Sequence, residues 1–265
     1  MQRGDKIVVQ YTLPTLTTEG QPISTPPEIQ LRVNGETRAI PSGVTRYEFS
    51  AAPFYNQSVS LAIYLLNSNR RDAGPSNTVA LPVVPAPPTP SDIRAVSDPA
   101  GVKLSWQPST GTFRVLRKAE EEKQYAVVAT TKGPAFIDAN AEFGKTYRYI
   151  VQTLVATAES DLSTEVTVTP KDTFAPAIPS GITAVVSTQS IELVWERNIE
   201  LDLAGYRVYR ATGDGPFTRV AETQESPSYS DRKLTAGATL RYRVSAIDRA
   251  GNESELSAVV TAVSP

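Results

Sequence analysis

The 265-residue chain carries 28 Asp and Glu and 26 Lys and Arg but no His and no Cys, so any chemistry must run on carboxylates, hydroxyls and basic side chains. That absence removes thiol nucleophiles, serine relays through histidine, zinc sites built on His or Cys, and most haem and iron–sulfur ligation. Two routes survive it. A pair of carboxylates about 5 to 10 Å apart suffices for glycoside hydrolysis. The segment "DRAGNES" (248–254) offers Asp248, Asn252 and Glu253, whose oxygens a calcium ion would accept. The acidic and amide residues there do not alternate as in a calcium loop, and Gly and Asn in a tight turn need no metal to explain them. Catalytic residues, metal ligands and cofactors are therefore all assigned as none. Trp106 and Trp195 offer flat platforms for sugar rings, but each lies in phase with the apolar face of its segment and reads as core.

The net charge of -2 and the lack of a basic block argue against nucleic acid and acidic lipid as partners. No apolar run approaches the roughly 18 to 20 residues of a membrane helix, and nothing resembling a signal peptide follows Met1. A cysteine-free chain suits the cytosol and equally an envelope or secreted protein without disulfides, so composition leaves the compartment open.

The elements that must position these residues are written twice. "TPSDIRAV" (89–96) matches "IPSGITAV" (178–185), "VKLSW" (102–106) matches "IELVW" (191–195), and "FID" (136–138) matches "YSD" (229–231). "RYIVQTLVATAES" (148–160) returns as "RYRVSAIDRAGNES" (241–254). A fixed-offset match of this kind marks a repeated structural unit. Val102, Leu104 and Trp106, then Tyr147, Tyr149 and Val151, alternate apolar and polar positions at period two, the signature of half-buried strands. Gly, Pro, Asp and Asn clusters separate the strands, and no segment sustains a helical period. About seven short strands in roughly 90 residues describe an antiparallel sandwich. Tyr125 and Phe217 take equivalent places in "YAVVA" and "FTRVA" and read as core.

Taken in order, Pro179, Trp195, "GYRVYR" (205–210), "YSD", "RYRVSAID" and "SELSAVVTAV" (254–263) resemble the fibronectin type III family, over nearly the whole chain. The resemblance implies an all-β fold of three tandem immunoglobulin-like sandwiches joined by Pro-rich linkers, divided as 1–85, 86–172 and 173–265. It places Trp106 and Trp195 in their cores. It also implies that Tyr147, at the start of a sixth strand, bonds its hydroxyl to backbone a few residues upstream, whereas the last unit has Leu240 there. The first 85 residues match more distantly, with Tyr11 of "DKIVVQYTLP" (5–14) in the tryptophan place and a first strand missing. Arg3, Gly4 and Asp5 spell "RGD", an interaction candidate. In the animal fibronectin domain that uses this signal it sits at the tip of the loop between the last two strands. Here it directly precedes strand-forming "KIVVQY" and reads as a solvated chain start.

"LPVVPAPPTPSD" (81–92) holds five prolines and "PKDTFAPAIP" (170–179) three, so stiff spacing is expected between units. The longest loop (12–27) is poor in convergent polar groups and gives a carboxylate pair nowhere concave to act. Tandem units with Pro-rich joints resemble those of bacterial cell-envelope lipoproteins. That resemblance implies a non-catalytic extracytoplasmic spacer or protein-interaction rod, periplasmic, outer-membrane or secreted, with a lipid anchor upstream of residue 1 and an unidentified protein or polysaccharide partner. The alternative is a carbohydrate-binding or connector segment of a larger polysaccharide-degrading enzyme.

Overall fold

The computed structural model describes residues 1–17, 20–67, 69–108 and 110–265; Thr18 and Glu19 of the 12–27 loop lie outside it. The chain divides into two compact units, Met1–Lys171 and Asp172–Pro265. The first unit opens with β1 (Gln2–Arg3), β2 (Lys6–Gln10), β3 (Glu28–Val33), β4 (Glu36–Ile40), β5 (Arg46–Ser50), β6 (Gln57–Leu66), β7 (Asp72–Pro75) and β8 (Val79–Val83). It continues with β9 (Ser91–Asp98), β10 (Gly101–Gln107), β11 (Thr112–Ala119), β12 (Ala126–Lys132), β13 (Ala135–Asp138), β14 (Tyr147–Val155), β15 (Ala158–Glu159) and β16 (Val166–Val168). The second unit contains β17 (Thr183–Val186), β18 (Ile191–Val194), β19 (Leu203–Thr212), β20 (Thr218–Thr223), β21 (Ser228–Asp231), β22 (Thr239–Asp248) and β23 (Val260–Val263). Among the described residues no helix is long and apolar enough to cross a membrane.

Three hydrophobic clusters organise these strands, two in the first unit and one in the second. In each, a two- or three-stranded sheet faces a larger one, as β13-β10-β9 faces β12-β11-β14 and β17-β18-β21 faces β20-β19-β22-β23. The period-two pattern dictates the packing. Val102, Leu104 and Trp106 turn inward from β10 while Lys103 stays exposed. Trp106 is 3% exposed and meets Phe113 edge-on at 5.4 Å, and Trp195 meets Tyr206 edge-on at 5.1 Å. Such edge-to-face pairs add about 0.5–1.5 kcal/mol beyond the area they bury. The indole nitrogens of both tryptophans are buried and have no hydrogen-bond partner among the described residues, so both side chains act through packing.

Tyr125 and Phe217 depart from the sequence expectation. Neither enters a core cluster; Lys118 lies over the Tyr125 ring at 5.0 Å and Arg241 over the Phe217 ring at 5.3 Å. The hairpins β11–β12 and β19–β20 each contain a register shift, between Val115 and Leu116 and between Val208 and Tyr209. A one-residue shift exchanges the faces of a strand. Val128 and Val220 turn inward instead.

One buried carboxylate ties the two sheets together in each of the repeated sandwiches. Asp138, at the end of β13, accepts from the Arg117 guanidinium at 2.8 Å, the Tyr149 hydroxyl at 2.9 Å and the Asn140 amide at 3.1 Å. Asp231, at the end of β21, accepts from Arg210 at 2.8 Å, Tyr242 at 2.8 Å and the Lys233 amide at 3.0 Å. The corresponding places in the first sandwich hold Phe49, paired with Ile7 as Asp138 is with Val102, and Val33 opposite Leu61, as Arg117 is opposite Tyr149. Phe49 is buried in the first core, so an apolar ring stands where the other sandwiches bury a carboxylate.

Serine hydroxyls complete the sheets where β-ladders stop. Ser163 Oγ and Ser160 Oγ accept from the amides of Val151 and Thr153, each at 2.9 Å, and Ser257 and Ser254 do the same for Val244 and Ala246 at the same distance. Tyr147 closes the corner before β14 by accepting the Glu142 amide at 3.1 Å, whereas Leu240 fills that place by packing.

Burial, then donation to Asp138, raises the Tyr149 hydroxyl above its ordinary range, and Tyr242 is raised in the same way beside Asp231. A raised folded-state pKa contributes stability that is fully present below the unfolded value of about 10 and is lost as pH climbs past it. Urea unfolding should therefore show Tyr149→Phe and Tyr242→Phe each destabilised by about 1.5–3 kcal/mol at neutral pH. The deficit should shrink above about pH 10. Equal stability of both variants and wild type at neutral pH would contradict the bridging role.

Candidate functional site: the sandwich junction and a carboxylate cluster

The first unit is unified by a sheet that passes through both of its cores. Its order is β12-β11-β14-β15-β1-β2-β5, with β16 also paired to β14. The joint is the parallel pairing of β1 with β15, Gln2 opposite Ala158 and Arg3 opposite Glu159. "RGD" therefore forms the turn between β1 and β2 and is packed against the second sandwich. Gly4 is buried with φ +55, its amide donating to the Glu159 carbonyl at 2.7 Å; a Cβ there would come within 2.9 Å of the Asp161 carboxylate. Arg3 pairs with Glu159 at 3.4 Å, and Glu159 also takes Arg114 of β11 at 2.5 Å. Asp5 is exposed, its carbonyl accepting from the Ala51 amide at 2.6 Å. The tripeptide expected to be a solvated chain start forms part of the joint between the two sandwiches, Gly4 buried, Arg3 half-buried and Asp5 exposed.

Gln2 seals the joint. Its side chain is 0% exposed, donating to the Val84 carbonyl at 2.7 Å and accepting from the Val84 amide at 3.0 Å, as a strand backbone would. The Pro-rich stretch beyond is held as well, Thr157 Oγ1 donating to the Pro82 carbonyl at 3.3 Å and Thr153 Oγ1 to the Pro88 carbonyl at 2.6 Å. Prolines offer carbonyls but no N–H, and these threonines use the groups that remain. Tyr11 is half-buried against the first core, and its hydroxyl donates to the Val44 carbonyl at 2.6 Å.

The second unit contains the one cluster of metal-ligand type among the described residues. Carboxylate oxygens of Asp172, Asp202 and Asp248 all lie within 4.8 Å of one another, Asp248 being buried. Asn252 reaches between two of them, its Nδ2 donating to Asp248 Oδ2 at 2.8 Å and to Asp172 Oδ1 at 3.4 Å. The three oxygens are of the kind a hard divalent cation takes, and Asn252 already supplies positive hydrogen-bond density to the same space. The sequence pointed to Asp248 and Asn252 and missed Asp172 and Asp202, which are remote in the chain. Glu253 turns elsewhere: it accepts from Arg207, Tyr209 and Ser245, each at 2.5 Å. Burial opposes its ionised form, and these three hydrogen bonds together hold its carboxyl below the usual carboxylate range. Glu253 and Glu159 occupy matching places, each facing the matching Arg of the next strand. That match was readable by aligning "ESELS" (253–257) with "ESDLS" (159–163).

Each repeated sandwich has three strands facing four, the immunoglobulin-like arrangement that the resemblance to fibronectin type III domains implies. No family model matches the chain. It is 34% identical over 200 residues to exoglucanase B of Cellulomonas fimi, a match covering 65% of this chain and 17% of that protein. It is 33% identical over 175 residues to endoglucanase B of Cellulomonas fimi, covering 61% and 16%, and 35% identical over 112 residues to chitinase A1 of Niallia circulans, covering 42% and 15%. The chain thus spans less than a fifth of the length of these relatives. Among solved structures, the FN1–FN3 domains of chicken CNTN1 align over 100% of this chain and 96% of theirs at 13% identity and TM-score 0.36. A fibronectin-type-III-like protein of Clostridium thermocellum aligns over 35% of this chain and 96% of its own, at 30% identity and TM-score 0.30.

The junction predicts the effect of its own removal. Gln2→Leu leaves the Val84 amide and carbonyl buried without partners and should lower the urea midpoint of the first unit by the equivalent of about 1–3 kcal/mol. Asp161→Ala, whose carboxylate only lines the space beside Gly4, should leave it unchanged. Identical midpoints for Gln2→Leu and wild type would show that the Gln2 clasp on Val84 contributes nothing to the first unit's stability.

Proposed function

We propose that the chain is a non-catalytic connector segment of a larger extracellular polysaccharide-degrading enzyme. The observation that carries this reading is the way it matches its relatives: an exoglucanase, an endoglucanase and a chitinase share 15–17% of their length with it. Repeats joined through a continuous sheet and threonine-pinned prolines suit a spacer that must hold its neighbours at a fixed separation. The chemistry agrees, because a chain without His or Cys has carboxylates as its main acid–base resource, and Asp138, Asp231, Glu159 and Glu253 are engaged by Arg, Tyr, Ser and backbone donors. The polysaccharide is then the substrate of the whole enzyme, and this segment serves by placement. This reading ranks above the envelope-lipoprotein rod expected from sequence, for which a lipid anchor would be required.

The native polypeptide containing residues 1–265 should be recovered from the culture medium at a mass well above that of this segment, hydrolysing soluble glucan or chitin derivatives. The isolated 265-residue chain should turn over none of them. Recovery in the membrane fraction as a lipid-modified protein without hydrolytic activity would replace the connector with an envelope rod.

A further inference from the structure

The outer face of the larger sheet in the second sandwich carries an apolar row that runs to the edge of that sheet. Ile150 of β14, Leu116 of β11 and Val127 of β12 stand opposite one another, and none of them belongs to the core cluster. Exposure rises along the row, from 6% at Ile150 to 57% at Val127, so it is least covered where the sheet ends. In the third sandwich the same row reads Arg243, Tyr209 and Arg219. Matching "YAVVAT" (125–130) with "FTRVAE" (217–222) sets Val127 against Arg219 and Thr130 against Glu222. Arg219 and Glu222 pair at 3.3 Å, and Glu222 also takes Arg207 at 2.9 Å. Charges at a sheet edge must lose their water before another strand can join, and that cost keeps the edge single. β12 lacks this guard, since no residue of 126–131 is charged.

The backbone is open along the same edge. β12 ends its sheet, and β11 is its one ladder partner among the described residues. The Gly133 amide donates to the Gly111 carbonyl at 3.1 Å, and alternation from there turns the N–H and C=O of Thr130 and Lys132 away from β11. We propose that β12 is a self-association edge, to which a second copy of this chain adds its own β12 in antiparallel orientation, joining two sheets into one. An open edge supplies directional hydrogen bonds, and a strand paired with itself about a two-fold axis is self-complementary. Val127 and Thr130 share the outer face, so Val127 of each copy is covered by Thr130 of the other. Charge favours the same orientation. The turn before β12 is the acidic "EEEK" (120–123) and the strand closes on Lys132, so antiparallel strands bring unlike ends together. The contact is one strand wide on each side, which makes it weak and reversible. The inference stands independently of the connector reading.

The test is sedimentation equilibrium of the intact 265-residue protein, paired with hydrogen exchange. The weight-average mass should rise between about 10 μM and 1 mM, and exchange of the Thr130 and Lys132 amides should slow over the same range. The double variant Val127→Lys/Thr130→Lys sets like charges opposite each other across the joint and should weaken association by about tenfold or more. Val127→Glu/Thr130→Glu should do the same. An equimolar mixture of the two variants should associate at least as strongly as wild type, because unlike charges then face each other. A mass that stays constant over the range, or a lysine variant that associates as wild type does, would overturn the proposal. So would a mixture that remains monomeric, or exchange that slows along β20 while Thr130 and Lys132 are unaffected.

Discussion

A carboxylate 1% exposed to solvent is costly unless every lone pair is used, and Asp138 is such a group. It sits where one sheet ends, and its donors Arg117 and Tyr149 come from the other, so desolvating a single charge fixes the distance and register between two layers. Leu104 and Trp106 pack in the space that this bridge defines. Asp231 repeats the arrangement with Arg210 and Tyr242. Removing any one donor leaves a buried charge short of partners, which penalises half-formed sandwiches and favours all-or-none assembly. Dispersion and apolar burial supply the larger share of the stability and oppose a one-residue slip, and the bridge adds a directional tie between the two sheets.

The first sandwich is built without this device. Where its neighbours have Asp, Arg and Tyr, it has Phe49, Val33 and Leu61, three apolar residues. Its specificity is supplied by Gln2 clasping Val84 within it and, from the second sandwich, by Glu159 against Arg3 and Gly4. A single glutamate thereby does two jobs. In the last sandwich Glu253 serves Arg207, Tyr209 and Ser245 of its own domain, whereas Glu159 shares itself between Arg114 at home and Arg3 next door. The joint between sandwiches is thus a redirected internal contact, which explains how two repeats became one unit while the third retains its own boundary at Asp172.

Much of this was legible in the sequence for a physical reason: strand alternation and core aromatics are local signals. The inward faces of β10, β14, β18 and β22 follow from period two alone, and the burial of Trp106 and Trp195 follows from their phase. Tyr125 and Phe217 were misread because a register shift in the preceding hairpin inverts the faces, and nothing in "YAVVA" announces it. The junction was hidden for a different reason. Gln2, Arg3 and Glu159 are unremarkable polar residues whose meaning depends on contacts about 155 positions apart, a distance over which no periodicity carries. Asp172 and Asp202 escaped notice on the same ground, while Asp248 and Asn252 drew attention because one turn holds both.

The parallel pairing of Gln2 and Arg3 with Ala158 and Glu159 also sets an order of events during synthesis. Chains emerge from the ribosome from the N-terminus, and domains ordinarily close as soon as their own residues are available. Here β1 cannot reach its parallel neighbour until residue 159 has emerged, so it is locked in place later than the strands of the first sandwich that follow it. Its entropy is surrendered late, after the second core offers a preformed edge to receive it. β1 is in this sense the final piece of the first unit, completed only when the next repeat arrives.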